Sequence, residues 1–138
     1  MQLLELKKKV RKPKKIKAAG VLLICEKTGN FLLLERSKLA FFPKTWSVVA
    51  GAMEEGETSL ETVKRELKEE TQIDSTDIKY EFFEKQIDIC DFDFYVGYCP
   101  KEYECKLDHE NDDWGWFNME TLPKPLFPTL YSSLVRIF

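Results

Sequence analysis

The segment Gly51 to Ile73, GAMEEGETSLETVKRELKEETQI, constrains this chain more than any other. Thr58 is a good helix cap and Glu61, three residues on, completes a capping box, which predicts a helix from about Thr58 to Thr71. Leu60, Val63 and Leu67 recur at i, i+3 and i+7, so they share a face that a sheet must cover. Glu66, Glu69 and Glu70 fall at i, i+3 and i+4 and share a second face. At about 100° per residue this second face lies roughly a quarter turn from the apolar one. Three carboxylates therefore run beside the buried stripe.

Such carboxylates repel one another, and partial burial raises both the cost and their pKa values. Hard divalent cations relieve the conflict, because Mg²⁺ and Mn²⁺ prefer oxygen ligands. Gly51 and Gly56 let the preceding loop approach a phosphate, and the helix start offers free N–H groups to an anion. The same composition also suits a merely solvated charged face, with Lys64, Arg65 and Lys68 interleaved. Spacing decides between the two.

Around this segment the chain alternates strands and helices. Ile16 to Cys25 reads as a buried strand, Thr28-Gly29-Asn30 as a turn, and Phe31 to Leu34 as the returning strand. Ser37 to Thr45 is a loop, and Trp46 to Ala50 a short strand. After the helix come strands at Ile78–Ile89 and Phe92–Cys99, a third near Tyr103–Leu107 and a short one at Trp114–Phe117. Phe127, Leu130, Tyr131, Leu134, Val135 and Phe138 form an apolar stripe that predicts a last helix, with Pro128 at its start. The expected fold is α/β, a mixed sheet between helices.

With 138 residues the chain fits one domain, expected over residues 16–138 behind a basic arm, residues 1–15. Residues 1–17 carry eight basic side chains and one acid, which leaves 13 basic and 23 acidic residues in the rest. An acidic body suits a site for divalent cations and does not by itself attract nucleic acid. No run reaches the ~18 apolar residues of a membrane span, and the N-terminus lacks a signal-peptide pattern. Cys25, Cys90, Cys99 and Cys105 form no C-x-x-C pair, so reduced thiols and a cytoplasmic location are expected. Cys105 and His109 alone are too few ligands for zinc.

The spacing of Gly51, Glu57, Arg65, Glu66, Leu67, Glu69, Glu70 and Ile73 resembles the Nudix box, G-x5-E-x7-R-E-U-x-E-E-x-G-U, with U a bulky aliphatic residue. One defined position departs: Gln72 stands where the family has glycine, at a cost of about 1 kcal/mol if the helix ends in a left-handed conformation. Val49-Ala50-Gly51 replaces the common Pro-Gly-Gly. Arg36, Trp46, Trp116-Phe117, Leu122-Pro123 and Leu126 also look like the family, so the resemblance spans roughly residues 17–130.

The resemblance implies a MutT-like α/β/α sandwich and a nucleotide pyrophosphohydrolase in which water attacks a diphosphate linkage with Mg²⁺, Mn²⁺ substituting. Glu66 and Glu70 would be the main metal ligands, with Glu69 and the Gly51 carbonyl assisting. Glu57 and Arg65 would form a pair orienting the catalytic glutamates. The general base varies across the family: a box glutamate such as Glu69 is one candidate and Glu110 another, with Asp112, Asp113 and His109 beside it in the same polar loop. Arg36 could contact a phosphate and Phe41 and Phe42 could stack on a base, although loop aromatics more often pack on the body.

The substrate is expected to be a nucleoside triphosphate, an ADP-sugar or a dinucleotide. The alternatives are an RNA 5′ end drawn by the basic arm and hydrolysed there or decapped, and a sensor that binds a nucleotide without cleaving it. The intact acid set weighs against the sensor. Family members commonly form dimers, so a homodimer stays open.

Overall fold

The fold is taken from a computed structural model, which describes residues 16–138. The basic arm lies outside the described residues. Among the described residues, seven strands form one mixed sheet. β1 (Lys17–Cys25) runs through its middle, parallel to β6 (Asp91–Cys99), which pairs antiparallel with β5 (Lys79–Gln86). The other edge of β1 is shared by β4 (Val49–Ala52) and β2 (Phe31–Arg36), and β2 also pairs with β3 (Trp46–Ser47) and β7 (Asn111–Phe117). Two helices flank it, α1 (Ser59–Thr71) and α2 (Leu130–Ile137).

The alternation along β1 builds the layers. Ala19, Val21, Leu23 and Cys25 face α1 and pack with Val63, Leu67 and Ile73. Leu22 and Ile24 face the other way and pack with Leu130 and Leu134 of α2. Successive strand residues point to opposite faces, so a strand buried on both sides reads as a continuous apolar run. The chain is thus an α/β/α sandwich, as expected.

Several expectations need correction. Trp46–Ala50 is two strands, β3 and β4, interrupted at Val48. Tyr103–Leu107 is not a strand. Cys105 is buried and Tyr103 and Leu107 pack on the α1 core, which explains the apolar alternation, but the Lys106 N–H donates to the Thr71 carbonyl and no ladder forms. β7 starts earlier, at Asn111. In α2 the buried face is Leu130, Ser133 and Leu134, whereas Tyr131, Val135 and Phe138 are each more than half exposed. Pro128 precedes the helix and its cap, Thr129.

Candidate active site

Local sequence chemistry positions α1. The Thr58 hydroxyl accepts from the Glu61 N–H, and the Glu61 carboxylate accepts from the Thr58 N–H at 3.0 Å, completing the capping box. At the other end Gln72 adopts the left-handed conformation the motif reserves for glycine, φ 63°, while its N–H donates to the Lys68 carbonyl. The helix therefore ends where the motif requires, at the strain cost of a side chain in that region.

Glu57 and Arg65 join the loop to the helix. Glu57 accepts from Arg65 Nε at 2.7 Å and Nη2 at 3.0 Å, from the Thr62 hydroxyl at 2.9 Å and from the Glu54 N–H at 2.8 Å. The Arg65 guanidinium, aided by these other donors, pulls the Glu57 carboxyl down to about 2. Arg65 also donates to the Ala52 carbonyl at 2.9 Å, to Glu66 at 2.8 Å and to Glu69 at 3.2 Å. One guanidinium thereby ties β4, the loop and α1 together.

Glu66 and Glu70 turn inward, 7% and 3% exposed. Burial is the main reason both carboxyls are pushed up, Glu70 well above the ordinary range, and mutual repulsion adds to it at Glu70. Asn111 Nδ2 donates to Glu70 Oε1 at 3.0 Å, whereas Glu70 Oε2 is buried and has no hydrogen-bond donor among the described residues. Glu110 approaches the same point from the loop before β7: one oxygen from each of Glu66, Glu70 and Glu110 lies within 4.8 Å of the others. Glu69, grouped with Glu66 and Glu70 by helical spacing, points outward and bonds Arg65 instead. Gly51 has a different use from loop flexibility. A Cβ there would come within 2.1 Å of the Glu66 carboxylate carbon, so glycine makes room for that carboxylate against β4. Gly56 meets a turn requirement, with φ +83°.

Arg36 ends β2 facing the acids. Burial lowers its pKa while Glu70 and Glu110 oppose that effect. Its Nε donates to the Phe41 carbonyl, and its guanidinium lies 5.6 Å from the centre of the Phe127 ring. The loop after it holds Phe42 and Lys44 at positive φ, 51° and 62°, strained values for side-chain-bearing residues. The Phe42 carbonyl accepts from the Thr45 hydroxyl at 2.8 Å, and its ring packs edge-on against Phe127 and Phe41. Phe42 thus packs on the body, and Phe41 is left 64% exposed.

Two clefts meet at this point. A polar one of about 380 Å³ includes Arg36, Glu70, Glu110, His109 and Asn111. An apolar one of about 200 Å³ lies on the α2 side of the sheet, floored by Val48, Phe92, Phe94 and Leu130. Arg36, Phe41, Ala50 and Gly51 line both. Asp112 pairs with Lys44, away from the acids' meeting point.

Sequence reasoning missed Asn111 and the apolar cleft. The pairing of β2 with β7 slips by one residue between Glu35 and Arg36, so Arg36 lies opposite Asn111 and not Asp112. A bulge of this kind re-aims a side chain, and period-two reading cannot anticipate it.

Comparisons with known proteins agree with this architecture. The family model for the NUDIX domain matches residues 14–136. An Ap4A hydrolase from C. elegans in a binary complex is 25% identical, with a TM-score of 0.61 over 76% of this chain and 81% of that one. A MutT NUDIX hydrolase from Burkholderia pseudomallei is 21% identical, with a TM-score of 0.71 over 89% of this chain and 98% of that one. The dihydroneopterin triphosphate pyrophosphohydrolase of E. coli is 22% identical, with a TM-score of 0.57 over 76% and 82%.

Proposed function

The chain belongs to the Nudix family of pyrophosphohydrolases, and from that premise we propose that it hydrolyses the diphosphate linkage of a small nucleotide, with Mg²⁺ held by Glu66, Glu70 and Glu110. The observation that carries this reading is Glu70 Oε2, buried and unpartnered beside two further carboxylates. A buried acceptor with no donor is costly, and an all-oxygen donor set suits a hard divalent cation. Mn²⁺ fits the same donors. The Gly51 carbonyl is the backbone donor that the family pattern adds. When bound, the ion neutralises the diphosphate and lowers the pKa of nearby water.

The chain's own residues supply the rest. Arg65, fixed by Glu57, holds Glu66 against Gly51, and Asn111 holds Glu70. Arg36 stands between the two clefts, where it binds phosphate oxygens. Glu110 is the exposed member of the three acids and takes the proton from the attacking water. Glu69 acts through Arg65, on which it is anchored. Phe41 covers the ring of the substrate from the loop side.

A triphosphate, an ADP-sugar and a dinucleotide all present the required linkage. The arm expected to draw an RNA end lies outside the described residues, and nothing among the described residues favours that substrate or a homodimer. A cytoplasmic location accords with the free thiols Cys25, Cys90, Cys99 and Cys105, three of them buried. No helix among the described residues is long and apolar enough to cross a membrane.

A hydrolysis panel with Mg²⁺ or Mn²⁺ tests the proposal, using nucleoside triphosphates, ADP-ribose, NADH and Ap4A, the last because of the C. elegans neighbour. Metal-dependent cleavage of at least one compound, lost in Glu70→Gln, is expected. Nucleotide binding without any cleavage would favour a sensor instead.

A further inference from the structure

Gln86, at the end of β5, separates the apolar cleft from a shallow surface cleft lined by Glu84, Ser132 and Arg136. Its amide nitrogen donates to Glu84 Oε1 at 2.9 Å and to Ser133 Oγ at 2.8 Å. A carboxylate only accepts, so the contact with Glu84 fixes which end of the amide is nitrogen. Arg136 reinforces that assignment. It binds both oxygens of Glu84 and holds the carboxyl below its usual range, charged at neutral pH. Both amide hydrogens of Gln86 are thus engaged on the Arg136 side. Among the described residues its carbonyl oxygen accepts no hydrogen bond.

The apolar cleft has a lining that suits a flat ring. Phe92, Phe94 and Phe127 line it, Phe41 stands at its mouth, and Arg36 marks the end nearest the acids. At the other end, near Gln86, the charged side chain lining it is Asp88, also an acceptor. A ring whose phosphates lie on Arg36 therefore meets an edge that offers acceptors.

We propose that Gln86 is a specificity-determining residue: its carbonyl oxygen accepts an N–H from a nucleobase in the apolar cleft, selecting a base with an exocyclic amine over its oxo counterpart. This deepens the proposed function and rests on its nucleotide substrate. Exchanging amine for oxo sets acceptor against acceptor and leaves both unpaired, which costs about tenfold or more. Glu84 and Arg136 are positioning residues, because they decide which end of the amide faces the ring.

The test is an NMR titration of the full-length protein with nucleoside monophosphates, which contain no diphosphate linkage and report binding independently of turnover. Three amine/oxo pairs serve: adenosine with inosine, guanosine with xanthosine, cytidine with uridine. In at least one pair the amino member is expected to bind about tenfold tighter or more. Gln86→Ala should bring the two within about twofold. Glu84→Leu keeps Gln86 but removes the acceptor that fixes it, so the amide can turn and the preference should narrow. A merely structural role would not produce that effect, and thermal melting confirms that both variants are folded. Equal binding of both members in every pair would overturn the proposal, as would a preference that survives Gln86→Ala. Absence of monophosphate binding with hydrolysis retained would overturn the inference alone. Absence of both would overturn the proposed function as well.

Discussion

Glu57 and Glu70 sit at opposite ends of the same loop–helix segment in opposite circumstances. Glu57 accepts four hydrogen bonds, and the Arg65 guanidinium dominates its environment. Glu70 is more deeply buried, accepts one bond from Asn111, faces two other carboxylates and keeps one oxygen unmatched. Arg65 matches the charge of the first region within the fold; the second is left with a deficit that a cation can fill. A carboxylate that holds structure and one that holds a ligand are the same residue type in the sequence. What separates them is whether the fold supplies the donors.

The contrast breaks most sharply at Glu70 itself. Glu70→Gln should lower turnover by roughly 10²–10³-fold, the scale for losing a preorganised electrostatic group, and should leave the metal-free protein at least as stable as the wild type. Steady-state kinetics and melting in chelator check both halves. Gly51→Ala should come next, since a methyl group there displaces the Glu66 carboxylate; a loss on the order of 10²-fold in kcat/KM is expected, because misplacement by an ångström has that effect. Asn111→Leu and Arg65→Met remove groups that orient Glu70 and Glu66, so each should cost about 10–100-fold in metal affinity or activity. Only Arg65→Met should also lower the melting temperature, because it strips Glu57 of its main donor.

The smallest effect is in pH dependence, where the two regions have opposite signs. The Glu57 carboxyl is depressed, so it contributes stability above the ordinary carboxylate range that is lost as pH falls toward about 2. Glu66 and Glu70 are raised, so in metal-free protein they favour the fold while protonated, and this is lost as pH rises through their elevated values. Denaturation of metal-free protein between pH 4 and 8 should therefore show a wild-type decline toward higher pH that Glu70→Gln flattens. A parallel pH dependence in the two proteins would contradict the assignment.

The α1 side of the sheet was largely legible in the sequence. The capping box, the apolar stripe and the placing of the glutamates beside it are local consequences of helical spacing, and the structure buries Glu66 and Glu70 there. Glu69 shares that spacing but not that burial, because Arg65 lies one turn before it and draws it outward. The approach of Glu110 was legible only through the family pattern. The α2 side was much less readable. Phe92, Phe94, Phe127 and Gln86 converge from β5, β6 and the segment before α2, and no periodicity marks such a meeting. The half-exposed Tyr131 and Val135 show the same limit: the stripe was real, but its rotation against the sheet is a tertiary outcome.

The most direct test of a charge-deficient site at Glu66, Glu70 and Glu110 is Mn²⁺ binding followed by electron paramagnetic resonance, comparing wild type with Glu70→Gln and Glu57→Gln. Saturable binding in the wild type, abolished by Glu70→Gln and only weakened by Glu57→Gln, is expected. Equal Mn²⁺ affinity in wild type and Glu70→Gln would contradict the account, because the unmatched oxygen of Glu70 would then hold nothing.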